Sequence, residues 1–333
     1  MKKLIAIVFV ICVSLLSFGQ TINGVVIDKK TKEKVCFATI YFDKTFVGTT
    51  SDIDGIFSLK IPQNNKMPLV VSSIGYYSVT LSDFSLEDTI TIHLTPKEYE
   101  IMEISVKDKS LVRKRKKYLR LFKSQFLGNT KNGVKCDILN EKDISFNYKS
   151  AKDTLKAFAS KPLEIINYAL GYKILYYLDK FEYCNQDQTF QYLGNIIFKE
   201  DLAKLDTNSL ACFRNRKDAF LGSRMHFFRS LWENSLEANG FSIRNKYGEE
   251  LITSKFVFRV NPDLLSSDAG EKKFITYSKP LTIYYYTDLS VLSIGRKRVF
   301  FDEGGYFDVG LFWEGYMAKK RIGDKLPYEY VLQ

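Results

Sequence analysis

Short apolar stretches separated by turn-forming residues make up the part of the chain from Thr21 to Pro96. They recur about every ten residues, a spacing that predicts an all-β sandwich. Asp54-Gly55 lies between two of them and predicts a hairpin turn, since glycine readily adopts the positive φ that such turns need. The predicted strands are 22–28, 37–43, 56–61, 69–74, 76–81 and 89–94.

A basic segment follows the predicted sandwich. Nine lysine or arginine residues fall between Lys107 and Lys123, against a single acid, Asp108. Apolar residues recur here at helical spacing, which predicts a short amphipathic helix. These residues are Leu111, Tyr118, Leu119, Phe122 and Phe126. We therefore predict a basic linker with a short helix over residues 97–134.

The chain from residue 135 to 333 returns to strand-like patterns, with one helical interval. The predicted strands are 136–140, 144–148, 154–159, 163–166, 172–183, 189–198, 241–246, 256–260, 274–278, 281–286 and 299–301. Apolar residues three or four positions apart mark the helix, which Asn239-Gly240 would end. They are Leu221, Met225, Phe228, Trp232 and Leu236. The fold class predicted is mainly β: an N-terminal β-sandwich, then a second β-rich α+β domain with one principal helix.

The N-terminus has the pattern of a secretory signal peptide. Lys2 and Lys3 precede an apolar run over 4–16, and Ser17-Phe18-Gly19 offers small residues for cleavage before Gln20. The run is shorter than the roughly 20 residues that a membrane-spanning helix needs. We expect residues 1–19 to be removed and the mature chain to be exported.

Four separated motifs in the predicted sandwich resemble the carboxypeptidase regulatory-like domain. They are 24–28 (GVVID), 38–40 (ATI), 48–57 (GTTSDIDGIF) and 70–76 (VVSSIGY). The resemblance implies a transthyretin-like β-sandwich over residues 20–96. Such domains occur beside carboxypeptidase catalytic domains and before the plug of TonB-dependent outer-membrane receptors, which implies a periplasmic or outer-membrane-associated location.

The second half is similar to the recurrent C-terminal region of exported proteins that contain this regulatory-like domain. The motifs are 126–130 (FLGNT), 169–172 (ALGY), 192–194 (YLG) and 219–231 (AFLGSRMHFFRSL). That group of proteins supplies no activity to transfer. The resemblance therefore leaves the function of residues 135–333 open.

Composition argues against metallopeptidase chemistry. The 333 residues include only two histidines, His93 and His226, whereas a zinc peptidase site needs two histidines and a glutamate on one ion. We expect no metal and no cofactor. Cys36, Cys136, Cys184 and Cys212 have apolar or aromatic neighbours and are predicted to be buried and unpaired, with a Cys136–Cys184 disulfide as the alternative.

Three other groups of polar residues have a chemical and a structural interpretation. His226 shares a helical patch with Arg229, Ser230 and Glu233, which favours structural hydrogen bonding over a catalytic triad. Asp52-x-Asp54-Gly55 favours turn capping over weak cation binding. Four acids lie among aromatic residues, as in sugar-cleaving clefts, but a hairpin beside core aromatics gives the same pattern. These acids are Asp302, Glu303, Asp308 and Glu314.

The sequence therefore favours a non-catalytic envelope protein that binds or scaffolds an outer-membrane protein or a glycan. The alternative is a hydrolase with its site in the second domain. The basic linker predicts contact with an anionic lipid or lipopolysaccharide surface, and export argues against nucleic acid. The linker residues predicted to make this contact are Arg113, Lys114, Arg115, Lys116 and Lys117.

Overall fold

A computed structural model describes residues 20–61, 67–82, 84, 89–97, 109–202, 210–260 and 271–332. The predicted signal peptide, 1–19, lies outside the described residues. Within them the fold class is confirmed: the chain is mainly β, with an N-terminal β-sandwich followed by a second β-rich part that also contains helices.

Eight strands form the sandwich. They are β1 (Thr21–Asp28), β2 (Thr39–Phe42), β3 (Gly48–Thr50), β4 (Ile56–Lys60), β5 (Leu69–Ser72), β6 (Tyr76–Tyr77), β7 (Val79–Leu81) and β8 (Ile90–Pro96). One sheet has the order β4-β1-β8-β6 and the other β3-β2-β5-β7. Alternate residues of β1 face inward, so Ile22 and Val26 are buried against Phe57 and Leu94.

The Asp54-Gly55 turn differs from the predicted hairpin. Gly55 has φ +72°, as expected for a turn glycine. However, the strands on either side, β3 and β4, lie in opposite sheets. The Asp52 carboxylate accepts the N–H groups of Asp54 at 2.9 Å and Ile56 at 2.8 Å, so it caps the turn by which the chain crosses between the sheets.

The second part begins with a helix and a six-stranded sheet. Their bounds are α1 (Lys109–Phe126), β9 (Cys136–Ile138), β10 (Ile144–Lys149), β11 (Thr154–Ala159), β12 (Leu163–Asn167), β13 (Tyr172–Cys184) and β14 (Thr189–Asp201). The order is β10-β11-β13-β12-β9, and β14 pairs with β13 along its length.

Helix α1 packs on this sheet, although the sequence assigns it to a linker. The Phe122 and Phe126 side chains are fully buried. The Phe122 ring centroid lies 4.7 Å from that of Phe181, and the Phe126 centroid lies 4.9 Å from that of Tyr176. The helix is therefore part of the hydrophobic core of the second part.

The remaining described elements are three helices and two small sheets. They are α2 (Leu210–Phe220), α3 (Arg224–Trp232), β15 (Phe241–Arg244), β16 (Val257–Arg259), β17 (Lys273–Ile275), β18 (Leu281–Tyr285), β19 (Asp288–Ile294), β20 (Val299–Phe301), β21 (Leu311–Gly315) and α4 (Tyr316–Lys319). The sheets have the orders β15-β18-β19-β21 and β16-β17-β20.

The helix predicted through 221–236 is wrong in its bounds. Gly222 has φ +64°, which ends α2, and Ser223 then caps α3 by accepting the His226 N–H on its Oγ at 3.1 Å. Helix α3 ends at Trp232. The apolar spacing continued across the break because Leu221 and Leu236 pack beside the helix and not within it.

The tip of the sandwich between β2 and β3, which we call the docking loop (43–46), joins the sandwich to the second part. The Lys44 N–H donates to the Ile196 carbonyl at 2.8 Å, and the Phe198 N–H donates to the Thr45 carbonyl at 3.0 Å. The Ile196 N–H donates to Asp43 Oδ1 at 3.1 Å. The docking loop therefore pairs with the outer edge of β14.

Side chains extend this contact on both sides of the loop. The Tyr41 and Tyr177 rings stack with centroids 5.4 Å apart, in a buried cluster with Val70 and Ile197. The Lys97 ammonium lies 3.2 Å from Asp179. The interface between the two parts of the chain therefore has a buried apolar cluster and an ion pair beside it.

We predict that Phe46→Ala destabilises the protein, because the Phe46 ring packs 5.6 Å from Phe198 and 6.1 Å from Tyr172 across the interface. The expected loss is about 2 kcal/mol of unfolding free energy, less than for a fully buried phenylalanine, measured by chemical denaturation. The control, Phe37→Ala, truncates a phenylalanine that is 67% exposed and should change stability by less than about 0.5 kcal/mol. Equal losses in the two variants would contradict the docking contact.

Candidate functional site

Helix α1 presents a row of positive charges on the side opposite its buried phenylalanines. The helix contains no acidic residue. Its basic face consists of the exposed side chains Arg113, Lys114, Lys116, Lys117 and Arg120. Because Phe122 and Phe126 fix the other side of the helix in the core, these charges are held on a rigid element.

Arg115 is not part of the basic face, although the sequence groups it there. Its guanidinium donates to the carbonyl of Ile144 at 2.7 Å through Nη1 and to that of Glu141 at 2.9 Å through Nη2. It thereby fastens α1 to β10. Arg120 is instead the fifth residue of the basic face. It lies seven residues, or two helical turns, after Arg113, and this spacing could have predicted its position on the same face.

A groove of about 450 Å³ adjoins the basic face, between the second half of α1 and the chain from 127 to 141. Lys116, Arg120 and Lys123 line it on the helix side, and Asp137 and Glu141 line it on the other. The Lys123 ammonium lies 2.7 Å from Glu141 and 3.8 Å from Asp137. The positive charge of Lys123 is therefore balanced by these two carboxylates. Lys116 and Arg120, in contrast, are exposed to solvent.

Glycines and one buried carboxylate fix the chain that forms the far side of this groove. A Cβ on Gly133 would lie 2.4 Å from the Gly128 carbonyl oxygen, so only glycine permits this approach. The Thr130 hydroxyl and the Asn132 amide both donate to Asp324, at 2.7 and 2.8 Å. The groove is thus preformed by contacts with the C-terminal part of the chain.

His226 lies in an aromatic pocket at the break between α2 and α3. Its ring centroid is 4.8 Å from that of Phe220 and 5.0 Å from that of Phe241. Nδ1 accepts the Gly222 N–H at 3.2 Å. Burial lowers the pKa of His226 to about 4, so the imidazole is neutral and serves as an acceptor that closes the turn.

The other residues of the predicted polar patch do not converge on His226. The Ser230 hydroxyl donates to the His226 backbone carbonyl at 2.8 Å, and Glu233 is exposed at the end of α3. Arg229 donates to the carbonyls of Gly304, Tyr330 and Tyr328 at 2.9, 2.7 and 2.9 Å. Arg229 therefore clamps the C-terminal segment to α3.

The four acids predicted beside aromatic residues are dispersed. Asp302 is buried and accepts the Tyr306 N–H at 3.0 Å and the Tyr328 hydroxyl at 3.4 Å. Asp302 and Asp308 line a cavity of about 20 Å³, room for about one water molecule. Glu303 and Glu314 are exposed, the latter on β21. The Asp302 carboxylate is therefore a hydrogen-bond acceptor that stabilises the turn between Asp302 and Tyr306.

Metal-ligating residues are also separated in the described part of the chain. His93 lies on the outer face of β8, where it is exposed. Across the residues that the structure describes, no group of three or more His, Cys, Asp or Glu side chains is placed to hold a metal ion. No described helix is long and apolar enough to cross a membrane.

The cysteines are less buried than predicted. Cys36 is exposed, and Cys184 and Cys212 are partly exposed, so Cys136 alone is buried among the four cysteines that the structure describes. Burial raises the pKa of Cys136 to about 12. The alternative disulfide is also wrong, because the strand register places Cys136 beside the Tyr172 end of β13 and Cys184 at the other end. That strand spans about 40 Å, against about 7 Å for a disulfide.

Comparison with protein families identifies the sandwich. Its two four-stranded sheets enclose a single core, and β1 and β8 pair in parallel. Residues 22–106 match the CarboxypepD_reg-like domain family. The N-terminal part of the chain is therefore a CarboxypepD_reg-like domain, as the four motifs indicated. A comparison with curated proteins found no match.

We predict that Asp302→Asn changes stability in a pH-dependent way. Burial raises the pKa of Asp302 to about 6, above its ordinary value of about 4. Between these values the unfolded chain has lost a proton that the folded protein keeps, so the carboxyl lowers stability as the pH rises from about 4 to about 6. The neutral asparagine should therefore raise the melting temperature above pH 6 and lose that advantage towards pH 4.

The comparison is made as the difference between variant and wild type at each pH. His226, with its lowered pKa, acts in the opposite direction over a similar range, but it is present in both proteins and cancels in the difference. A difference in melting temperature that is the same at pH 4 and pH 8 would show that Asp302 is not buried as described.

Proposed function

We propose that this chain is a non-catalytic protein of the cell envelope that binds an anionic surface through α1 and scaffolds other envelope components. The observation that carries the proposal is the basic face, Arg113, Lys114, Lys116, Lys117 and Arg120, on a helix whose opposite side is buried in the core. Each such residue contributes about 1 kcal/mol near an anionic membrane surface.

An exported protein meets anionic charge mainly as lipid headgroups and lipopolysaccharide phosphates. The signal-peptide pattern supports export, and nucleic acid would then not be the partner. A rigid helix favours this binding because the five side chains need not be gathered from a flexible segment, which lowers the entropy lost on binding.

The scaffolding part of the proposal rests on the docked sandwich. The docking loop fixes the sandwich to the second part, so the spacing between the basic face and the sandwich is set by the fold. Strands β3 and β4 each end a sheet, and such edges accept an added strand from a partner protein. An outer-membrane protein could thereby be held at a defined distance from the surface.

We predict that the triple variant Arg113→Gln, Lys114→Gln, Lys117→Gln partitions about a hundredfold more weakly than wild type onto vesicles of phosphatidylglycerol and phosphatidylethanolamine at low salt. Cosedimentation measures the partitioning. The wild-type binding should also fall steeply with salt, because the exposed charges are screened over about 8 Å at physiological ionic strength.

The matched control removes three exposed lysines of the sandwich, Lys29, Lys30 and Lys32. This variant loses the same charge and should bind close to wild type. Equal loss in the two triple variants would mean that net charge alone attracts the vesicles. Binding that is absent or insensitive to salt would exclude the basic face as a membrane contact.

A further inference from the structure

We propose that the groove beside α1 holds a single anionic lipid, with its phosphate at Lys116 and Arg120 and the start of its acyl chain along the apolar floor. The inference rests on the proposed function and adds a discrete site to it. General attraction to a charged surface needs only exposed cations. The groove supplies in addition a shaped volume of about 450 Å³, within the range of small-ligand sites.

The charge layout places the phosphate at one end of the groove. Lys116 and Arg120 are four residues apart on α1, so their side chains are neighbours on one side of the helix and both are exposed. Lys123, one turn further on, is already paired with Glu141 and Asp137. The unbalanced positive charge of the groove therefore lies at its Lys116 and Arg120 end.

The apolar lining points to a ligand with a hydrocarbon part. Leu119 lies in the groove on the helix side, and Val134 on the other side is 68% exposed. A lipid chain that covers Val134 removes the apolar surface of this side chain from water, which is favourable. Free inorganic phosphate would contact only the rim.

The acidic side of the groove favours a lipid over an acidic protein segment. A peptide rich in aspartate or glutamate would have to lie along Asp137 and Glu141, which repel it. A lipid carries its negative charge at one end only, so it can meet Lys116 and Arg120 while its uncharged part passes the two acids. Because Gly133, Thr130 and Asn132 fix the far side, the site exists before the ligand arrives.

The test uses the full chain and dihexanoyl-phosphatidylglycerol below its micelle concentration, with binding measured by titration calorimetry. We expect saturable 1:1 binding of this lipid. Dihexanoyl-phosphatidylcholine and inorganic phosphate should bind much more weakly. Val134→Asn should lower the affinity about tenfold through the lost apolar contact. The control Val309→Asn replaces a valine that is 60% exposed elsewhere on the surface and should leave the affinity unchanged.

The outcomes separate this inference from the proposed function. Salt-sensitive vesicle binding without 1:1 binding of the monomeric lipid would overturn the groove site and leave the basic face as a membrane contact. Inorganic phosphate that binds as tightly as the lipid, or a Val134→Asn variant with unchanged affinity, would overturn the lipid assignment. Loss of both vesicle and monomer binding would overturn the two proposals together.

Discussion

The docking loop is the contact on which the arrangement of the chain depends. Strand β14 pairs with β13 on one side, and its buried backbone groups on the other side need partners. The docking loop provides them at Ile196 and Phe198. Lys44 adopts φ +61° there, a costly conformation for a non-glycine residue. The Lys44 N–H donates to the Ile196 carbonyl, and the Lys44 carbonyl accepts the Tyr328 N–H at 2.7 Å. The Lys44 ammonium lies 4.4 Å from the Tyr306 ring centroid.

This contact gives the proposed function its geometry. The sandwich, the sheet built on β13 and the C-terminal segment all meet at Lys44, and the C-terminal segment in turn holds the groove through Asp324. A surface contact at α1 and a protein contact at the sandwich edges would therefore be linked through one folded body. The polar groups at His226, Arg229 and Asp302 are used to secure turns and chain segments within that body.

Local patterns predicted most of the strands but not the pairing between distant ones. The alternation in β1 and the aromatic-rich stretches of β13 and β14 are visible in the sequence. Strands β3, β19 and β21 were missed because they are short or carry polar residues at buried positions, such as Ser290 in β19. The docking loop joins residues 153 positions apart, which no periodicity can show. Arg115 was misplaced because the basic run was grouped as a whole, although Arg115 lies four residues after Leu111 and seven before Phe122, on the apolar side of the helix.

In the proposed function, α1 carries the face that meets an anionic lipid surface. Photo-crosslinking in intact cells tests it directly, with a benzophenone amino acid at position 117 on α1 or at position 53 on the sandwich, where Ile53 is exposed. We expect mass spectrometry to find a phosphate-bearing lipid attached at 117 and not at 53. A protein adduct alone at 117, or the same lipid adduct at both positions, would contradict it.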